Sequence, residues 1–208
     1  MQSPRSSEPS ISSAVLVIGR SENVLTETVE LLLADGQSAG ATNDFNNVLA
    51  LFDATALDTV VFGGMVPPDT KEALRAQLRD ASPEVEIIQG LAGIPGLIAA
   101  QVKASLTPTG DDGAAVAYDS DERVLKLSFD LPQVVRLTAF WATSLVPPEP
   151  KSTSKVVFNE LLPAGRHVLP LPDSIPDVAS FIVVEAGAVV RPFTVGPMPR
   201  IDLLPPPT

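Results

Sequence analysis

The sequence contains no cysteine. That excludes disulfides, thiolate metal sites and cysteine nucleophiles together. It fits a reducing compartment, and the expected location is the cytoplasm. Histidine is almost as scarce, with His167 the single copy. A Ser-His-Asp triad would need it beside an activated serine, and no Gly-x-Ser-x-Gly precedes a helix. His167 is therefore expected at the start of a strand. Long apolar runs are missing too. Ala14 to Ile18 is far too short to span a bilayer. Positive charge is in deficit: 14 Lys and Arg stand against 25 Asp and Glu, for a net charge of −11 and a pI near 4.4. The cations are scattered singly, so no basic patch is expected. Nucleic acid and anionic membrane are then poor partners.

What remains is a chain that can bury a core, with 45% hydrophobic residues over 208 positions. Residues 58–67, Asp58-Thr-Val-Val-Phe-Gly-Gly-Met-Val-Pro67, organise the first half. Thr59 to Phe62 is short, apolar and β-branched, the mark of a fully buried strand. Gly63 and Gly64 end it, and Pro67-Pro68 open a helix. Ala14 to Ile18 reads as an earlier strand of the same kind. Ser21 caps the helix after it, and Val24, Leu25, Val29 and Leu32 share one face. Asp35-Gly36 ends that helix. Ser38 to Thr42 is a weaker strand. Asn43 or Asp44 caps a second helix with Phe45, Val48, Leu49 and Phe52 on its inner face. A third helix runs from Pro68 to Ala81 and stops at Ser82-Pro83. Val85 to Ile88 is the fourth strand, and Leu97 to Ser105 the fourth helix. Four strand–helix units in series imply a truncated doubly wound parallel sheet of order 2-1-3-4.

The composition changes at Thr107-Pro-Thr-Gly-Asp-Asp-Gly113, a linker. Beyond it lie only strand patterns: 115–118, 124–131, 134–143, 155–158, 167–171, 181–185 and 189–195. Short strands broken by Pro, Gly and Asp imply an antiparallel β-sandwich. Trp141 and Phe140 adjoin on one strand and face opposite sides. The expected organisation is thus a leader over 1–13, an α/β domain over 14–106, a linker over 107–113, a sandwich over 114–198 and a proline-rich tail over 199–208. The fold class is α/β plus all-β.

In such parallel sheets, function sits at the carboxyl ends of the strands. Here those places hold Gly19, Gly63, Gly64, Gly90, Gly93 and Gly96, which are the candidate ligand-binding residues. The Gly90–Gly96 loop opens onto a helix and can cradle an anion. A dinucleotide site would need Gly-x-Gly-x-x-Gly after the first strand, and only Gly19 matches. Asp111, Asp112, Asp119, Asp121 and Glu122 carry carboxylates but not the spacing of a calcium loop. No catalytic residue, metal site or cofactor is expected.

Residues 14 to about 106 resemble a response-regulator receiver domain. The likeness lies in the strand–helix order and in Asp58, the run Thr59 to Phe62, and Met65 and Pro67. On that pattern Gly63 occupies the phosphoacceptor position. The acidic pair falls on Gly19 and Arg20, and Gln89 or Gly90 replaces the usual Ser or Thr. The fifth strand with its lysine is missing. Aspartyl phosphorylation needs a carboxylate nucleophile and acidic Mg²⁺ ligands, so the resemblance implies a degenerate receiver that keeps the scaffold without the chemistry. The second half resembles the immunoglobulin-like sandwiches at the C-termini of flagellar hook-capping proteins and type IX secretion cargo. It does so through Leu125-Lys-Leu-Ser-Phe-Asp-Leu-Pro132, Val135-Arg-Leu-Thr-Ala-Phe-Trp141 and Leu162-Pro-Ala-Gly-Arg-His167.

Two functions are then in view. One is a non-catalytic adaptor or structural assembly protein acting through protein–protein contacts. The other is a small-ligand or nucleotide-binding protein, or an enzyme, that uses the glycine-rich strand ends. The order 2-1-3-4 leaves Val85 to Ile88 at an open edge, which Glu84 and Glu86 charge only in part. A homo-oligomer or larger assembly is the expected state.

Overall fold

The structure, a computed structural model, describes residues 14–91, 93–107, 114–144 and 151–198. The expected leader and tail and residues 108–113 of the expected linker lie outside the described residues, as do residues 145–150. The chain divides into two compact units, with the boundary between Val102 and Lys103.

The first unit is a parallel sheet of four strands. β1 (Val15–Ile18), β2 (Ala39–Thr42), β3 (Thr59–Phe62) and β4 (Glu86–Gln89) stand in the order β2-β1-β3-β4. All eight residues of β1 and β3 are buried. These two central strands are covered on both faces, which is why each reads as an unbroken apolar run.

Four helices supply the cover. On one face, Leu25 and Leu32 of α1 (Glu22–Ala34) and Ile98, Ala99 and Val102 of α4 (Pro95–Leu106) pack on Val15, Val17 and Val61. On the other, Val48 of the one-turn α2 (Val48–Leu51) and Leu74 and Leu78 of α3 (Pro68–Ala81) pack on Leu16, Ile18, Val60 and Phe62. Each such large side chain, taken from water, contributes about 1.5–3 kcal/mol.

Local chemistry sets the helix ends. The Ser21 hydroxyl accepts from the Val24 N–H at 3.3 Å, the cap expected from sequence. Gly36, at φ +82°, closes α1 with N–H bonds from Gly36 to Leu33 and from Gln37 to Leu32. The second helix departs from expectation. Its start moves to Val48, because Asp44 folds back instead of capping. Its carboxylate accepts from the Asn46 N–H at 3.2 Å and from the Asn47 side-chain amide at 2.6 Å. Asp and Asn side chains compete with helix in this way. With one turn only, Leu49 faces outward and is 42% exposed. Phe52 is extended, and Asp53 then caps a short 3-10 turn over Ala54–Ala56.

The second unit contains seven strands. β5 (Ala114–Asp119), β6 (Val124–Phe129) and β9 (Gly165–Pro170) form one antiparallel sheet, ordered β5-β6-β9. β7 (Gln133–Ser144), β8 (Lys151–Leu162), β10 (Ser180–Ala186) and β11 (Val189–Gly196) form the other, ordered β11-β10-β7-β8. They pack as a sandwich. Leu125, Leu127 and Phe129 from one sheet meet Val135, Leu137, Ala139, Ile182 and Val184 from the other. Trp141 lies on this inner face, half-buried against the core, so Phe140 takes the opposite face. β8 is three times its expected length. Its first third, Lys151 to Ser154, has no apolar alternation and is held by pairing with Ser144 to Phe140 of β7.

Candidate functional site

The carboxyl ends of the parallel strands are closed by backbone. The N–H of Gly19 donates to the Thr42 carbonyl at 3.1 Å, that of Gly63 to Ile18 at 2.8 Å, and that of Gly90 to Phe62 at 2.8 Å. The ladder therefore runs one residue past each strand, and three of the six candidate glycines are rungs of it. A Cβ on Gly63 would lie 3.3 Å from the Ile18 oxygen and 3.4 Å from the Gly19 Cα. A Cβ on Gly19 would lie 3.2 Å from the Leu25 side chain. One on Gly90 would lie 3.2 Å from Val61 and 3.3 Å from the Phe62 oxygen. Close packing accounts for these three glycines. Gly64 is exposed, with nothing within 4 Å of the position of its missing Cβ. Gly93 adopts φ +60°, and Gly96 lies in the first turn of α4.

Several N–H donors in and just after the Gly90–Gly96 loop are already bonded within the chain. The Leu91 N–H donates to Oε1 of Gln101 at 3.0 Å, and Pro95 has no N–H. The Leu97 and Ile98 N–H groups both turn back to the Ile94 carbonyl. Gln101 also donates from Nε2 to the Gln89 carbonyl at 3.1 Å. The structure thus joins Gln89, Leu91 and Gln101, a tie ten residues long that glycine spacing does not reveal.

Other flagged residues hold turns together. The Asp119 carboxylate accepts the N–H groups of Asp121 and Glu122 at 3.1 Å each, and its other oxygen pairs with the Lys126 ammonium at 2.6 Å. Lys126, then these N–H groups, hold the Asp119 carboxyl below the usual carboxylate range. His167 lies on β9 and donates from Nε2 to the Pro163 carbonyl at 2.8 Å. The run Gly36-Gln-Ser-Ala-Gly40 has the spacing of a nucleophile turn, but it leads into β2 rather than out of a strand into a helix. Among the described residues no group of three His, Cys, Asp or Glu is arranged to hold a metal ion. No helix among them is long and apolar enough to cross a membrane.

The arrangement that linear reading missed lies along β4. Lys71, Arg75 and Arg79 recur every four residues on α3, so they line up on one face. With Pro68, Glu72, Ala76 and Gln89 they line a groove of about 520 Å³. This corrects the expectation that the cations are scattered singly. Among the described residues, none of the three forms an ion pair. Two of them are fixed, Lys71 and Arg75, each in its own way. Lys71 donates to Oε1 of Gln89 at 3.0 Å, while Nε2 of Gln89 donates to the carbonyls of Phe62 and Gly90. The Arg75 guanidinium lies 5.7 Å from the centre of the Phe62 ring, a cation–π distance. Its Nε is buried without a hydrogen-bond partner. Burial, then the nearby Arg75 charge, push the Lys71 ammonium below its ordinary value.

β4 pairs with β3 and, among the described residues, with no other strand. The Glu86 and Gly90 N–H groups point at β3, to Asp58 and Phe62. By alternation Ile87 and Gln89 turn their N–H and C=O groups to the open side. Gln101 takes the Gln89 carbonyl and the Leu91 N–H, as a neighbouring strand would. The Val85 and Ile87 carbonyls and the Ile87 and Gln89 N–H groups are left facing outward. Comparison of the chain with protein-family models and with curated proteins finds no match.

Proposed function

We propose that this chain is a non-catalytic adaptor or structural assembly protein, acting in the cytoplasm through protein–protein contacts. The observation that carries the reading is the open outer side of β4, flanked by a cationic groove. An unpaired strand edge is a template for another strand, and strand addition is a recurrent mode of protein recognition. The strand ends support the same reading. Gly19, Gly63 and Gly90 are spent on the ladder and on close packing, where a receiver would keep an acid, its phosphoacceptor and a Ser or Thr. On this view the first unit is a degenerate receiver scaffold, the second an immunoglobulin-like sandwich, and the protein works as a homo-oligomer or within a larger assembly.

A thermal-shift screen against nucleotides and dinucleotides tests this against ligand binding at the glycines. A ligand at 100 times its dissociation constant adds about 2.7 kcal/mol of stability. The adaptor reading expects no shift with any member. A shift that is lost in a variant of the Gly90–Gly96 loop contradicts it.

A further inference from the structure

We infer that the α3–β4 groove binds an extended acidic segment of a partner protein, laid along the open side of β4 with acidic side chains at alternate positions. This rests on the adaptor reading above and names the chemistry of its partner.

The argument is one of matched spacing. Lys71, Arg75 and Arg79 are four residues apart, so successive cations rise by about 6 Å along α3. In an extended strand, side chains on one face recur every two residues, at about 6.6 Å. Over three positions the two repeats differ by about 1 Å, which the long Lys and Arg side chains absorb. An alternating acidic strand therefore meets all three cations at once. A run of consecutive acids sends every second carboxylate to the other face.

The backbone supplies the register. A docked residue beside Glu86 pairs with the Val85 carbonyl and the Ile87 N–H, and one beside Ile88 pairs with the Ile87 carbonyl and the Gln89 N–H. Their side chains fall on the face of Ile88, away from α3, where half-buried Ile88 favours an apolar neighbour. The intervening side chains fall on the face of Ile87 and Gln89, toward the cations. Gln101 ends the site by filling the next rung.

Charge favours this occupant over a neutral strand. Glu72 is the one carboxylate in the groove, against three cations. Burial first, and the Arg75 charge second, depress the Lys71 ammonium, and an incoming carboxylate offsets the Arg75 charge. The chain's own net charge of −11 repels an acidic partner at a distance, but physiological salt screens that beyond roughly 8 Å.

The test is fluorescence anisotropy in physiological salt with two labelled peptides of one composition, Ser-Glu-Val-Glu-Val-Glu-Val-Ser and Ser-Glu-Glu-Glu-Val-Val-Val-Ser. The alternating peptide is expected to bind about fivefold to tenfold tighter, the worth of one or two exposed ion pairs. Arg79→Ala, at an exposed position of α3, is expected to weaken it by up to about fivefold. The peptide should also slow hydrogen exchange at Ile87 and Gln89 but not at Ile88, already bonded to β3. Equal binding of the two peptides, no binding, or unchanged exchange at Ile87 and Gln89 overturns the inference. So does displacement of the peptide by inorganic phosphate alone, which would make the groove a small-anion site. If the peptides fail while nucleotides give no thermal shift, only the acidic-strand chemistry falls. A nucleotide shift that maps to the glycine loop removes the adaptor reading as well.

Discussion

Gln101 on α4 donates from its side-chain Nε2 to the backbone carbonyl of Gln89 on β4 over 3.1 Å. With its Oε1 accepting from Leu91, one side-chain amide occupies the rung that a fifth strand would fill. Among the described residues, no further strand joins this sheet after β4. It turns through Gly90 and lays α4 on the α1 face of the sheet.

Gln101→Ala removes both bonds. Each neutral hydrogen bond is worth about 1 kcal/mol net, so a loss of about 1–2 kcal/mol is expected in urea unfolding. The Leu91 amide should exchange faster in the variant. Unchanged stability together with unchanged exchange at Leu91 would show that the tie is not formed in solution.

The glycines should separate by space. Gly90→Ala forces a Cβ to 3.2 Å from Val61 and 3.3 Å from the Phe62 oxygen, and a loss of about 1–3 kcal/mol is expected. Gly64→Ala meets nothing within 4 Å and should stay within about 0.5 kcal/mol of the parent. Gly63→Asp should be destabilised like Gly90→Ala, and it should take up no phosphate from acetyl phosphate with Mg²⁺. Gly19 and Arg20 supply no acid beside it. Intact mass decides the second point, and a stoichiometric adduct would contradict it.

Thr59 is fully buried on β3, and its hydroxyl has no hydrogen-bond partner. Thr59→Val keeps the shape and removes an unsatisfied polar group. A gain of up to about 1 kcal/mol is expected. A clear loss of thermal stability would mean that the hydroxyl has a partner in solution.

The Asp119–Lys126 pair sets a pH dependence. The Asp119 carboxyl is held below its unfolded value, so its contribution is full above that value, about 3.9, and is lost as pH falls through the lowered one. Lys126 is raised, chiefly by Asp119 and then by Glu122, so its contribution is full below its unfolded value and lost as pH rises through the raised one. Lys126 is exposed and Asp119 partly so, and the effect on stability is small. Lys126→Ala should move the Asp119 titration midpoint upward in carboxyl NMR. A midpoint that stays in place would mean that the backbone N–H groups alone hold it down.

The central strands and α3 were legible because burial on both faces and a Pro start with a Ser-Pro stop leave marks in sequence. α2 was not, since Asn46 and Asn47 both bond to Asp44 and the helix cap moves three or four residues on, to Asn47. The strand ends were found by their glycines, but sequence could not tell a cradle from a ladder rung. That difference rests on Ile18, Thr42 and Phe62, which are neighbours only in the folded sheet. The cationic groove left a signal that went unread. Lys71, Arg75 and Arg79 look isolated in linear order, yet four-residue spacing on a helix ending at Ala81 aligns them. Gln101 left no such trace, because its partners lie across a loop.

The central claim is that the open side of β4 is where this protein meets other protein. Hydrogen exchange at Ile87 and Gln89, followed against protein concentration in physiological salt and paired with sedimentation equilibrium on the same samples, tests it most directly. The account expects these two amides to slow as the protein associates, while Ile88 stays slow throughout. A strict monomer at every concentration, with Ile87 and Gln89 exchanging as fast as a loop even when the alternating acidic peptide is added, would contradict the edge as a protein-binding site.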